Sequence, residues 1–346
     1  MRFLGVLVAA AVVSAGVGAA TGCSSSGGSG GPTPIGSSGG TPTISSNTTW
    51  EDGTELSVPT DIAAGVTVTI APGATIHVAS GVQLTIDGTL TAAGGAEAAL
   101  TSDSSWAGIL VDKGGTLTLT NVDIANTSVA AISVNAGAAN VTYDSGTISA
   151  SVAPFAIQAG AKVTTSHATV KGSLGTTRVQ GELDAEYLDY DANGQDGITT
   201  ESDTAVLSLQ DSELHGISGQ TGDGVVSYLG AQSITVAYTE IKNIHCAFHI
   251  ERIMNLDVSY VNATTDSYGF MLYGSLDQGT RTVTAMNIDN ELQWGIDEED
   301  GDVNGPITIT NTYFGSNAYG NVHLQTASNI HITGNATSPI ANAKPR

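Results

Sequence analysis

Basic residues are scarce in this chain of 346: ten Lys and Arg stand against 33 Asp and Glu, a formal charge of −23. Such a surplus repels nucleic-acid phosphates, anionic headgroups and acidic polymers, so no nucleic-acid partner is expected. Charged residues of both signs make up only 12% of the chain. That leaves too little Glu, Lys and Arg to solvate the outer faces of a helical globule. Two cysteines do not make a disulfide scaffold. What is abundant is Gly (43 residues) with Ala, Ser and Thr, alongside 40% apolar residues. This composition favours short strands and tight turns around a core of modest side chains.

Arg2 is the sole charge before an apolar, Gly/Ala-rich stretch, Phe3 to Ala20, with the n-region and h-region of an export signal. It ends in Ala20-Thr21-Gly22-Cys23. That ending resembles the lipobox of bacterial lipoproteins, departing from it in Ala20, where Leu is usual. The resemblance implies cleavage before Cys23 and acylation of its thiol, hence a membrane partner through acyl chains. Ser24 follows in place of Asp, which by the same resemblance implies the outer membrane or cell surface. Apart from Ile35 and Ile44, residues 24–46 are Ser, Gly, Thr and Pro without a charge, a segment too polar to offset its ordering entropy and so read as a tether. The expected organisation is signal peptide 1–22, lipidated Cys and tether 23–46, folded domain 47–340 and tail 341–346.

From Leu117 onward a short motif returns: LTLTNVDI at 117, VTYDSGTI at 141, VTTSHATV at 163, LDAEYLDY at 183, LSLQDSEL at 207, ITVAYTEI at 234, LDVSYVNA at 256, VTAMNIDN at 283, ITITNTYF at 307 and IHITGNAT at 330. Intervals run from 20 to 27 residues. A small–apolar pair keeps step with it, as in Gly108-Ile109, Ala131-Ile132, Ala156-Ile157, Gly197-Ile198, Gly224-Val225, Ala247-Phe248, Gly269-Phe270 and Gly295-Ile296. Self-similarity at about 24 residues marks a solenoid, and the period-two alternation within each unit marks strands. The expected fold class is all-β, a parallel β-helix of about 10–12 coils, right-handed by the crossover rule. At the fifth position of the motif stand Asn121, Asn287 and Asn311, with Asp211, Ser145 and Gly334, read as a left-handed turn with a ladder of stacked amides.

The run VTVTIAPGATIHVASGVQLTIDGTLTAAG from Val66, followed by Ser105-Trp106-Ala107-Gly108-Ile109, resembles the opening of bacterial β-helix proteins of the pectate-lyase-like superfamily. That resemblance implies the fold over about residues 50–340 and leaves function open, because lyases, hydrolases, adhesins and inert rods share the architecture.

Acidic residues cluster, ten between Glu182 and Glu213 and seven between Asp289 and Asp302. Within them D-x-D-x-N-G occurs twice, as Asp189, Asp191, Asn193 and as Asp300, Asp302, Asn304, each followed by Gly. Three oxygen side chains inside a tight loop suit calcium, the expected metal. The same residues are also the common formers of β-helix turns, and that reading stands beside the first.

With the apolar member of each landmark inside, alternation places Thr199 and Glu201, Val226 and Tyr228, His249 and Glu251, Met271 and Tyr273, and Asp297 and Glu299 on the outer face of one strand column. Tyr228, His249, Tyr273 and Asp297 are the expected ligand-binding residues: rings to stack on sugars and polar groups for hydroxyls. The function expected is structural, adhesive or glycan- or protein-binding at the cell envelope. The alternative is a polysaccharide-active enzyme, an inverting hydrolase or a lyase. In the hydrolase, Glu251 and Glu299, two coils and so about 9–10 Å apart, would be the catalytic carboxyls. The Arg-rich lyase pattern and the N-T-D, D-D, G-H-G and R-I-K set of polygalacturonase-like hydrolases are absent. Cys246, between Ile244 and the Ala247-Phe248 landmark, reads as a buried thiol.

Overall fold

The computed structural model describes residues 41–217, 222–264, 266–273, 279–298, 305–325 and 329–346. Among these every regular element is a strand, and no helix is long and apolar enough to cross a membrane. The chain is a parallel β-solenoid with a period of about 24 residues. Each coil contributes one strand to a 13-stranded parallel sheet, here sheet B, running from Thr43–Ile44 through Gly108–Val111, Asp223–Gly230, Cys246–Ile250, Tyr268–Leu272 and Trp294–Glu298 to Gly320–His323. The remaining strands stack as two parallel ladders, sheet A, joined where Thr89–Thr101 and Thr116–Ala125 run through the corner between them. Sheet B begins earlier than the expected domain boundary at 47, because Ile44 pairs with Ile62 and packs against the core. Residues 1–22 and Cys23 lie outside the described residues.

The core is a stack of apolar columns. Leu207, Ile234 and Leu256 follow one another in sheet A, and Val225, Phe248, Phe270 and Ile296 in sheet B. Phe248 and Phe270 stack with centroids 4.6 Å apart. Each such side chain is fully or almost fully buried and contributes about 2–3 kcal/mol of transfer free energy. The Leu column is broken at one place: Arg281 lies opposite Leu256 and is 2% exposed, its Nε and Nη2 donating to the Ile253 carbonyl at 3.0 and 2.7 Å. Glu298, on the sheet-B strand of the same coil, is also buried.

The repeat is correct in kind and shifted in one coil. Val283 pairs with Val258 and Ile309, so that coil's motif starts at Arg281, not at Val283. The charged Arg281 in an aliphatic slot hides the start. The left-handed position is then occupied by Asn121, Ser145, His167, Tyr187, Asp211, Tyr238, Tyr260, Ala285, Asn311 and Gly334, all with φ between 49° and 62°. Asn287 lies two residues beyond, in the strand Asn287–Asp289. No amide ladder forms at this turn. Its side-chain stacking is aromatic, Tyr238 on Tyr260 at 4.8 Å and His167 on Tyr187 at 4.7 Å, because most coils place something other than Asn there.

In one coil the landmark is misplaced, since Phe155 and not Ile157 pairs with Ile132 and Ala156 lies in the outward column; from Gly224 onward its small member has a steric cause. A Cβ on Gly269 would stand 2.7 Å from Ile288 Cγ2 inside the core, and Ala247 and Phe248 both belong to the core. Two successive residues therefore face inward where the strand enters sheet B, and the first must be small. The residue before them, Asp223, Cys246, Tyr268 or Trp294, is turned to the outside.

Candidate functional site

Sheet-B register aligns Thr199, Val226, His249, Met271, Asp297 and His323 in one outward column, as alternation predicts for the first five. Upstream the same column is Leu110, Ser133, Ala156 and Arg178, with little chemistry. Inward resetting at the landmark adds a second outward row, Asp223, Cys246, Tyr268 and Trp294, which period-two reading does not reach. The two rows together make the candidate site.

Asp223 is its centre. The residue is 4% exposed and accepts from His245 Nδ1 at 2.8 Å on one oxygen and from His249 Nδ1 at 2.7 Å on the other. Burial alone would raise its pKa, but the two imidazoles outweigh it and hold the carboxyl below the ordinary value. His249 is 7% exposed. Its burial disfavours the charged ring, yet the Asp223 bond and charge, with Glu251 behind them, lift its pKa above the usual value. His249 Nε2 meets Glu251 Oε1 at 3.3 Å, giving a line Asp223–His249–Glu251 from the sheet surface toward solvent. Asp196 accepts from the Asp223 amide at 3.0 Å, and its own pKa is raised, by burial first and the Asp223 charge second. One coil beyond Met271, Asp297 accepts from His323 Nδ1 at 2.7 Å.

Aromatic rings frame these pairs. Tyr228 stands edge-on to His249 at 4.8 Å, and Tyr273 stacks on the other side at 4.6 Å. Farther along, Trp294 stacks on His323 at 5.0 Å with Tyr319 edge-on to it at 6.3 Å. Tyr319 is 65% exposed. Burial and the charges of Asp196, Asp223 and Glu251 raise the Tyr228 phenol, so it stays a donor. Cys246, Tyr268 and Met271 form a small apolar floor, with Tyr273 and Trp294 packed on it. The Cys246 thiol is buried, raised by that burial, and donates to the Phe248 carbonyl.

The structure thus brings Tyr228, His249, Glu251, Tyr273 and Asp297 to one face. It adds Asp223, His245, Trp294 and His323, which the sequence reading did not select. Glu201 does not join them: a register shift sets it opposite Gly230, and Arg178 holds it in a bidentate pair at 2.7 and 3.0 Å. Glu299, Asp300, Asp302 and Asn304 lie outside the described residues.

The first acidic motif divides. Asp191 accepts from the Asn193 and Gly172 amides, and Asn193 donates to the Ser173 carbonyl, so both side chains shape the turn. Asp189 instead faces outward in sheet A beside Glu213 and His215, with ligand atoms all within 4.8 Å of one another. His215 bonds Asp189 at 3.2 Å and Lys242 pairs with Glu213 at 2.6 Å, so both carboxylates already have cationic or donor partners. Two grooves on the N-terminal coils have volumes of about 260 and 390 Å³. The first is lined by Glu55, His77 and Asp103 among Ser, Thr and aliphatic side chains, and the second by Asp103 and Asn126 among similar ones; these ionisable groups are exposed, unlike the buried Asp223 and His249.

No protein-family model matches the chain, and no curated protein matches it. Solved structures similar to it include the catalytic domain of a GH87 alpha-1,3-glucanase variant in complex with tetrasaccharides: 12% identity, 86% of this chain and 63% of that chain covered, TM-score 0.43. Another is a variant of such a domain in complex with nigerose, at 12% identity, 85% and 64% coverage and TM-score 0.31. The match spans less than two thirds of those chains, and at this identity the likeness is one of fold.

Proposed function

We propose that this chain is an exported, lipid-anchored β-solenoid whose outer sheet-B face, from Asp223 to His323, binds a neutral glycan. The observation that carries the reading is the group Tyr228, Tyr273, Trp294 and Tyr319 around the Asp223–His249 and Asp297–His323 pairs, which the Met271 coil separates. Aromatic faces take the apolar faces of sugar rings, and oriented Asp–His pairs supply acceptors and donors for hydroxyls. Coils repeat about every 4.8 Å, close to the length of one hexose, so successive rows suit successive sugars. A chain of charge −23 with carboxylates at the site disfavours uronate and sulfated polymers. Anchoring rests on Cys23, its acyl chains holding the solenoid at the outer membrane or cell surface.

A second reading, hydrolysis by inversion, draws on the Asp223–His249–Glu251 line. Glu251 would take a proton from water as it attacks the anomeric carbon, while a second carboxylic acid, Glu299 in the sequence reading, would protonate the departing oxygen. One experiment covers both: the Cys23→Ser protein is titrated with neutral and acidic polysaccharides, and new reducing ends are followed. Saturable binding of a neutral glycan without product supports the first reading. Product that disappears in Glu251→Gln supports the second, and no binding to any neutral glycan rejects both.

A further inference from the structure

At the turn leading into the candidate face, each side chain caps the coil before it. Asp266 Oδ1 accepts from the Ile244 amide at 2.9 Å, Glu291 Oε2 from the Asp266 amide at 3.0 Å, and Asn317 Oδ1 from the Glu291 amide at 3.1 Å. The cap requires an acceptor oxygen and no charge, as Asn317 demonstrates. Yet two of its three members are carboxyls, 0% and 1% exposed. The second oxygen of each, Asp266 Oδ2 and Glu291 Oε1, is buried and lacks a hydrogen-bond partner among the described residues. Two carboxylates with bare oxygens in a dry turn are costly, and protonation removes the charge that burial penalises.

The charged and titratable groups around the pair do not relieve it. Asp289 adds negative charge toward Glu291, and Cys246, a buried thiol, lies between the fields of Asp266 and Asp223. His245, on the same turn, already gives Nδ1 to Asp223. Burial and the Glu291 charge raise Asp266 well above the carboxylate range, and burial takes Glu291 up to about 8. The same turn carries the site: the Ser267 and Tyr268 amides donate to the His245 carbonyl, the Leu292 amide to Asp266 and the Gln293 amide to Ser267. The Tyr268 hydroxyl closes on Gln293 at 2.8 Å, next to Trp294.

We propose that Asp266 and Glu291 share a proton and act as a latch that fastens this turn in acid and neutral solution and loosens it, with His245, Tyr268 and Trp294, in alkali. Loss of the shared proton to solvent leaves two carboxylates repelling across adjacent coils. The inference concerns the turn and does not depend on which ligand the face binds.

The test is a melting-temperature profile from pH 5 to pH 9.5 for the wild type and for Asp266→Asn/Glu291→Gln, whose amides keep both acceptor oxygens and supply permanent donors. The variant's Tm relative to wild type is expected to rise by at least about 3 °C across this range. The Trp294 emission should shift with pH in the wild type and not in the variant, with Trp294→Phe identifying the signal. Glu291→Gln alone, a one-atom change toward the Asn317 arrangement, serves if the double variant does not fold. A difference in Tm that is the same at every pH, or a wild type that gains stability relative to the variant as pH rises, overturns the latch.

Discussion

Asp223 holds two imidazoles on its two oxygens, and nothing else at the site is bound so fully. Asp223→Asn keeps one acceptor and loses the charge. It is expected to cost about 2 kcal/mol at pH 6, read from urea unfolding, and to bring the His249 pKa down, read by NMR titration of the ring. Gly108 makes a different demand. Its φ is 89° and a Cβ there would stand 1.8 Å from the Ala130 carbonyl oxygen, so Gly108→Ala should lower stability by about 2 kcal/mol or more. That glycine was legible in the sequence as the small half of a landmark, and so were His249, Tyr273 and Asp297, which strict alternation places outside. Asp223, His245 and Trp294 were not legible, because two consecutive residues face inward at the landmark and the alternation restarts on its far side. No local signal in one sequence marks that reset except the small residue itself.

At the scale of the strand and turn, the motif that opens with LTLTN was sufficient to phase nine of ten coils, since its apolar positions are the inward column of sheet A. The tenth failed because Arg281 occupies an aliphatic slot. Arg281→Met restores the apolar pattern and still should destabilise by about 2 kcal/mol or more, because the buried Ile253 carbonyl loses its guanidinium donors. An unfolding series with Arg281→Lys as the charge-keeping control checks this. A Met variant as stable as wild type would mean that the guanidinium has no structural role. The left-handed turn shows the same contrast between backbone and side chain. Its place was readable from Asn121, Asp211 and Asn311, while its aromatic stacking was not, since Tyr238 and Tyr260 stand where turn formers are expected.

For the molecule as a whole, three titrations act from opposite sides and set an optimum between them. Asp223 is depressed, so its contribution is present above the ordinary carboxylate value and is lost as pH falls through the folded one. His249 is raised, so its contribution is complete below about 6.5 and is lost as pH rises through the folded value. Asp266 and Glu291 are raised carboxyls that share a proton in the fold when the unfolded chain has released it, so they too lose stability as pH rises. Maximum Tm is therefore expected between about pH 4 and pH 6.5, and added salt should raise it by screening the charge of −23. Anchoring is tested separately: Cys23→Ser should move the protein from the membrane fraction to the soluble one with an unchanged melting curve, and retention after a salt wash would count against acylation. The central claim is that the Asp223–His323 face binds a neutral glycan through its rings. Its most direct test is calorimetric titration of the soluble protein and of Tyr273→Ala and Trp294→Ala with the neutral glycans that bind best in a polysaccharide screen. Each substitution is predicted to weaken binding about three- to tenfold while the protein stays folded at the assay temperature. Unchanged affinity in both variants, or selective binding of acidic polymers by the wild type, would contradict it.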